Sequence, residues 1–231
     1  MVVTATQARY LSTSAAVVFT GVILSGPVAV TLVEIGAPQP LWQGIATFVR
    51  HYSWLQGLPY WFGFLIAGGF ILFMASLQGT AKPHQRPFEA AALGFTIVSA
   101  ALIFLNYVLQ TGFIPQWVHS NDPMVAAFTM ANPRSLGWAL EMYGYALLGV
   151  GTAFAAPLFE QRGRQGVIRF LFAANAVVSI AAAMMIPIFP GWVLTTVGMI
   201  LGAVWNILIM VVMVLVMVEF RFGRSPREIG L

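Results

Sequence analysis

Six long apolar stretches divide the chain, separated by polar, basic or aromatic connections. They run Ser14–Ile35, Pro59–Leu77, Ala90–Ile114, Leu136–Phe159, Phe170–Phe189 and Trp192–Phe220. About 20 mainly apolar residues are needed to carry a helix across roughly 30 Å of hydrocarbon. Each stretch therefore predicts a membrane-spanning α-helix, and the last has length to spare for tilt. The first run is about twice a signal-peptide core and carries Pro27 and Glu34, which predicts a retained span rather than a cleaved leader. Pro190-Gly191 predicts a tight turn that closes the fifth and sixth spans into a hairpin. The fold class is all-α: one polytopic domain over residues 1–231, a bundle of six transmembrane helices with no internal repeat.

Two connections differ from the rest. In the first, Leu41, Ile45, Phe48, Val49, Tyr52 and Leu55 recur at helical spacing, with Trp42 and Trp54 as interfacial aromatics. This predicts a short amphipathic helix on the membrane surface. In the second, Asp122-Pro123 supplies a cap and a first-turn proline ahead of Met124–Ala131. Both would lie at the extracytoplasmic end and cover the bundle there.

Within the spans the polar residues fall on faces. The third span carries Thr96, Ser99, Asn106 and Gln110, with Ile103 between Ser99 and Asn106, and the fourth Trp138, Glu141, Tyr145, Gly149 and Thr152. The fifth carries Asn175, Ser179 and Ala182, and the sixth Thr195, Gly198, Gly202 and Asn206. Thr20, Pro27, Thr31 and Glu34 mark the first. Apart from the seven-residue gap between Thr20 and Pro27, each step is the three or four residues of one helix face. Polar side chains in a membrane turn toward other helices or a cavity, so the interior of the bundle is expected to be moderately polar.

Glu141 is the sharpest of these residues. It lies about two turns from the outer end of its span, by the ~1.5 Å rise per residue, and no Lys or Arg falls within any span. A carboxyl at that depth must be neutral, paired or in contact with water. Glu141, Asn106, Gln110, Tyr145, Trp138 and Glu34 form the candidate ligand-binding set, with a cavity expected to reach Glu141 from outside beneath the two aromatic connections. Gly198 and Gly202, a small-xxx-small pair, are assigned to helix packing together with Asn206 and Asn175.

Composition supports the membrane reading. The chain is 59% hydrophobic and 8% charged, against about 25% charged in a soluble domain. Its net charge of +4 is not gathered into a nucleic-acid-binding patch. Instead, Arg9, Lys82, Arg86, Arg162, Arg164, Arg169, Arg221, Arg224 and Arg227 fall on one side of the spans, and only Arg50 and Arg134 on the other. By the positive-inside rule both termini are cytoplasmic and the protein sits in a cell membrane, as in a bacterial inner membrane.

Several chemistries lack their residues. There is no cysteine, all three histidines lie in connections, and the single lysine, Lys82, lies outside the spans. These features argue against thiolate chemistry, bis-histidine haem and a retinal Schiff base. No catalytic set, metal or other cofactor is expected. Three functions fit what remains. The first is binding or transport of a small, largely apolar ligand through an outward-facing pocket, with the lipid bilayer as the surrounding partner. The second is an accessory subunit or homo-oligomer, using the methionine-bearing final span (Met199, Met210, Met213, Met217) as an adaptable surface. The third is a lipid-modifying enzyme with Glu141 as acid or base.

Overall fold

A computed structural model describes residues 3–120 and 122–222, and among them it contains helices and turns but no strand. In chain order the elements are α1 (Ala5–Gly36), α2 (Ile45–His51), α3 (Trp54–Leu77), α4 (Pro83–Ser120), α5 (Pro123–Phe128), α6 (Leu136–Ala155), α7 (Gly163–Ile188) and α8 (Thr196–Phe222). Five of these, α1, α3, α4, α7 and α8, are long and apolar enough to cross a membrane. The sixth long helix, α6, has 20 residues, a length that covers roughly 30 Å. Glu141, its tyrosines and its glycines dilute its apolar character. Each long helix packs against the next in sequence, and α8 closes the ring against α1.

Helix limits depart from the hydropathy limits where capping overrides composition. The first helix begins at Ala5 rather than Ser14, because Thr4 and Gln7 form a capping box: Gln7 N–H donates to Thr4 Oγ1 at 3.2 Å and Thr4 N–H to Gln7 Oε1 at 3.0 Å. Between the last two helices, the connection is longer than a two-residue turn. Gly191 takes the left-handed conformation (φ 89°), a one-turn 3₁₀ segment follows over Trp192–Leu194, and α8 starts only at Thr196. Its missing Cβ is also what allows Gly191 to sit against Pro133. Arg224 and Arg227 lie outside the described residues.

The end of the bundle where α1 begins and α8 finishes, called the inner end as a label only, holds the main core. Leu11, Val18, Phe70, Phe73, Phe172, Ile209 and Met213 are fully buried there, contributed by α1, α3, α7 and α8. Phe73 and Phe172 meet edge to face with ring centroids 5.9 Å apart, so the centre of the ring is filled. Close helix approach depends on glycine. A Cβ at Gly21 would lie 2.9 Å from the backbone nitrogen of Ile66, and one at Gly69 would lie 2.7 Å from Val18 Cγ2. The corresponding row on α6 is Gly137, Gly144 and Gly151, spaced by seven and turned toward α4.

The small-residue pair assigned from the sequence does something else. Gly202 is exposed and its Cβ position has nothing within 4 Å, so it packs against no neighbouring helix. Gly198 is buried, but beneath the carbonyls of Trp192 and Val193 in the turn that precedes its own helix. A motif of this kind records which residues are small; it does not say which face has a neighbour. The methionines of α8 likewise do not form one surface: Met199 is exposed, whereas Met213 is fully buried in the core.

At the outer end, α2 and α5 pack on each other and on the end of α4. Phe48, Ile114, Val118 and Val125 form a separate small core there, flanked by Trp42, Tyr52 and Phe128. Phe48 of α2 is thus buried by protein and Ile45 and Val49 partly so, while Leu41 and Trp54 stay exposed.

Candidate functional site

The fourth-span carboxyl stands in a network of neutral donors. Asn106 Nδ2 donates to Glu141 Oε2 at 2.8 Å, and the Tyr107 hydroxyl donates to Oε1 at 3.0 Å. The hydroxyls of Tyr107 and Tyr145 lie 3.1 Å apart. Both carboxyl oxygens therefore have a partner although no cation is among them. Asn106 and Tyr107 are buried, but Glu141 and Tyr145 keep partial exposure.

The network continues from the bundle into the cap. Gln110 Nε2 donates to Asn106 Oδ1 at 3.1 Å and to the Phe128 carbonyl at 2.9 Å, while its Oε1 accepts from Met130 N–H at 3.1 Å. Trp138 Nε1 donates to the Met130 carbonyl at 2.8 Å. One run of side chains thus satisfies the backbone of the α5–α6 connection and fixes it over α4 and α6. Buried backbone groups need such partners, and here the in-span amides and the indole supply them.

Two glycines make the arrangement possible. A Cβ at Gly63 would fall on the Tyr107 ring, so α3 leaves the space that lets this phenol reach Glu141. A Cβ at Gly137 would lie 2.7 Å from the Phe128 carbonyl and 3.1 Å from Asn106 Oδ1. Neither glycine, nor Met130, carries a signal in the sequence, because their roles exist only once helices have met. Tyr107 does carry one: it lies one residue off the Asn106–Gln110 stripe and at the same level.

Five of the six sequence-derived candidates, Glu141, Asn106, Gln110, Tyr145 and Trp138, are brought into this network. Glu34 is not. It is exposed near the outer end of α1, along with Thr31 and Pro27. Asn175 sits in a second, deeper cluster: its Nδ2 donates to Thr152 Oγ1 at 2.9 Å and its Oδ1 accepts from Trp205 Nε1 at 2.9 Å. The Trp205 ring packs on Tyr145 at 4.6 Å, linking the two clusters. Asn206 Nδ2 donates within its own helix to the Gly202 carbonyl, and its Oδ1 faces Gly26 of α1.

Above that Gly26–Asn206 approach, α1 and α8 part. Gly202 is one turn farther out on the face that Asn206 turns to α1, and no atom fills the space beside it. On α8, residues 199–204 are exposed, as are Val30, Leu32 and Ile35 of α1. A small void of about 10 Å³ lies beside Tyr145, walled by Ile66, Phe70, Ser99 and Ile103. Beneath the cap polar contacts surround Glu141, and on the outer side α1 and α8 stand apart beside Gly202. Among the described residues no three His, Asp or Glu side chains gather as a metal site.

Fold and network together define an α-helical integral membrane protein with a polar outer half closed by a small helical cap. No family model, curated protein or solved structure matches the chain.

Proposed function

We propose that this protein resides in a cell membrane with both termini cytoplasmic and binds a small, largely apolar molecule in the outer half of the bundle. The molecule enters between α1 and α8 and rests against Glu141, Tyr145 and Trp205. The observation that carries this reading is the partial exposure of Glu141 and Tyr145 in the half of the molecule where α1 and α8 separate. Apolar walls with a few convergent polar groups suit a ligand of this kind. Around Glu141 the neighbours are amide, phenol, indole and thioether groups, which favours binding over lipid chemistry.

The test is native mass spectrometry of the full chain released from mild detergent, comparing the parent with Glu141→Gln and Gly202→Trp. A discrete small-molecule adduct should be retained by the parent and weakened in both variants, one lacking the charge and the other filling the gap. An adduct equally abundant in all three, or no adduct in the parent, overturns the proposal. Orientation is tested separately by reporter fusions at the two ends, both expected to be active only as cytoplasmic reporters. A second reading, assembly with another membrane subunit or a second copy, is favoured by the exposed outer half of α8. It predicts a stoichiometric protein complex in the same spectra.

A further inference from the structure

The hydrogen bonds that reach Glu141 have their direction set from the cap. Backbone groups hold the Gln110 amide at both ends: its Oε1 accepts from Met130 N–H, which can only donate, and its Nε2 donates to the Phe128 carbonyl, which can only accept. The second Nε2 hydrogen goes to Asn106 Oδ1 at 3.1 Å. Asn106 is thereby turned so that its own Nδ2 faces Glu141 Oε2 and the Met130 sulfur, which uses both of its hydrogens. On the other carboxyl oxygen the Tyr107 hydroxyl donates, so the 3.1 Å contact between the two phenols is donated by Tyr145.

Two chains of donors, one from the cap and one from Tyr145, thus converge on a single carboxyl. Accepting on both oxygens is the hydrogen-bonding state of an ionised carboxyl. Amide and phenol donors hold that negative charge without cancelling it, and among the described residues no cationic side chain bonds to Glu141. Arg134, the nearest basic residue in sequence, is exposed in the α5–α6 connection. Away from water a lone carboxylate attracts a cation far more strongly than it would in bulk solvent. Aromatic rings surround the same place: Trp205 packs on Tyr145 at 4.6 Å, and Tyr60 and Phe64 each pack on Tyr107 at 5.6 Å. Ring faces attract cations and also offer an apolar wall.

We infer that the molecule taken by this site is a lipophilic amine in its ammonium form, a conclusion that rests on the binding reading above and names its ligand class. The ammonium N–H groups donate to Glu141, beside the Tyr145 and Trp205 rings. The apolar body lies toward the space beside Gly202, between α1 and α8. Charge complementarity selects this class: a neutral apolar molecule would leave the carboxylate uncompensated, and an anion would be repelled by it.

The experiment titrates the full chain in a non-ionic detergent at pH 7 with 1-aminoadamantane or 1-adamantanol, read by calorimetry. The two probes share one apolar cage and differ in carrying an ammonium or a hydroxyl. The amine should bind at least about tenfold more tightly than the alcohol, the low end of what a desolvated charge pair contributes. Glu141→Gln should bring the amine to the affinity of the alcohol, while Glu141→Asp keeps part of the preference. Gly202→Trp, which leaves the charge in place, should weaken both probes. Thermal unfolding shows which variants are folded, and the contrast between the probes in the parent needs no variant. Equal affinities in the parent, with both probes weakened by Gly202→Trp, would keep the binding site and overturn the amine. A preference that survives Glu141→Gln overturns it too, because the cation then rests elsewhere. No binding of either probe, or binding untouched by Gly202→Trp, would overturn the binding reading and the amine with it.

Discussion

At the inner end, α1 and α3 touch through Gly21 and Gly69, and aromatic and aliphatic side chains fill the ring between the helices. At the outer end the same α1 leaves α8 beyond Gly26, and what closes the bundle is a polar network from α4 and α6 reaching into the cap. The inner half thus relies on shape, and its tolerances are those of close packing. The outer half relies on paired donors and acceptors, and it keeps two polar side chains partly exposed. Where helices are not driven together by water, packing and hydrogen bonding are the forces that hold them, and their balance differs between the two halves.

The largest expected effect comes from disturbing the inner contact. Gly21→Leu places a side chain against the Ile66 backbone nitrogen, which cannot rotate away. It should cost about 3 kcal/mol, the upper end of overpacking penalties, read as loss of folded monomer on thermal challenge in detergent. Next is Asn106→Leu. It removes the donor to Glu141 Oε2 and the acceptor for Gln110 Nε2, leaving polar groups without partners in a buried setting. A loss of about 2 kcal/mol is expected, with proteolysis between residues 122 and 135 as an independent readout of cap release.

Glu141→Gln should cost less, about 1 kcal/mol or under. The new amide can turn its oxygen to Asn106 and its nitrogen to Tyr107, whose hydroxyl then accepts from that nitrogen and donates to Tyr145. Unfolding measurements on this variant should therefore fall close to the parent, while the ligand retention described above changes. A stability loss as large as that of Asn106→Leu would make Glu141 a structural hub and remove its binding role.

How much of this is legible in the sequence follows from the range of each force. Apolar runs and the polar stripes of α4 and α6 are local patterns, and they locate the helices and most of the network. Thr4 and Gln7 also form a local signal, yet a hydropathy reading passes over them, and for that reason it starts α1 at Ser14 instead of Ala5. The roles of Gly63, Gly137 and Met130 depend on which helices meet, which spacing within one helix does not encode. The same gap explains the exchange of glycines: Gly198-x-x-x-Gly202 matches a packing motif, while Gly21 and Gly69, neither of them four residues from another glycine, make the contact.

The smallest effect sharpens that exchange. Gly202→Leu adds a large side chain to a site with nothing within 4 Å, so no steric cost is expected. Glycine is also the weakest helix former after proline, and its replacement by leucine in a helix interior gains up to about 0.8 kcal/mol. Stability in detergent should therefore stay level or rise slightly, in direct contrast to Gly21→Leu. The pair of substitutions is chemically identical, so the difference between them measures only what each glycine faces. If Gly202→Leu destabilises the protein as much as Gly21→Leu, the outer halves of α1 and α8 close against each other in the folded state. The lateral gap, and with it the route to Glu141, would then be absent. If instead Gly202→Leu leaves the monomer intact but abolishes a dimer or a larger complex, the exposed face of α8 is an assembly surface.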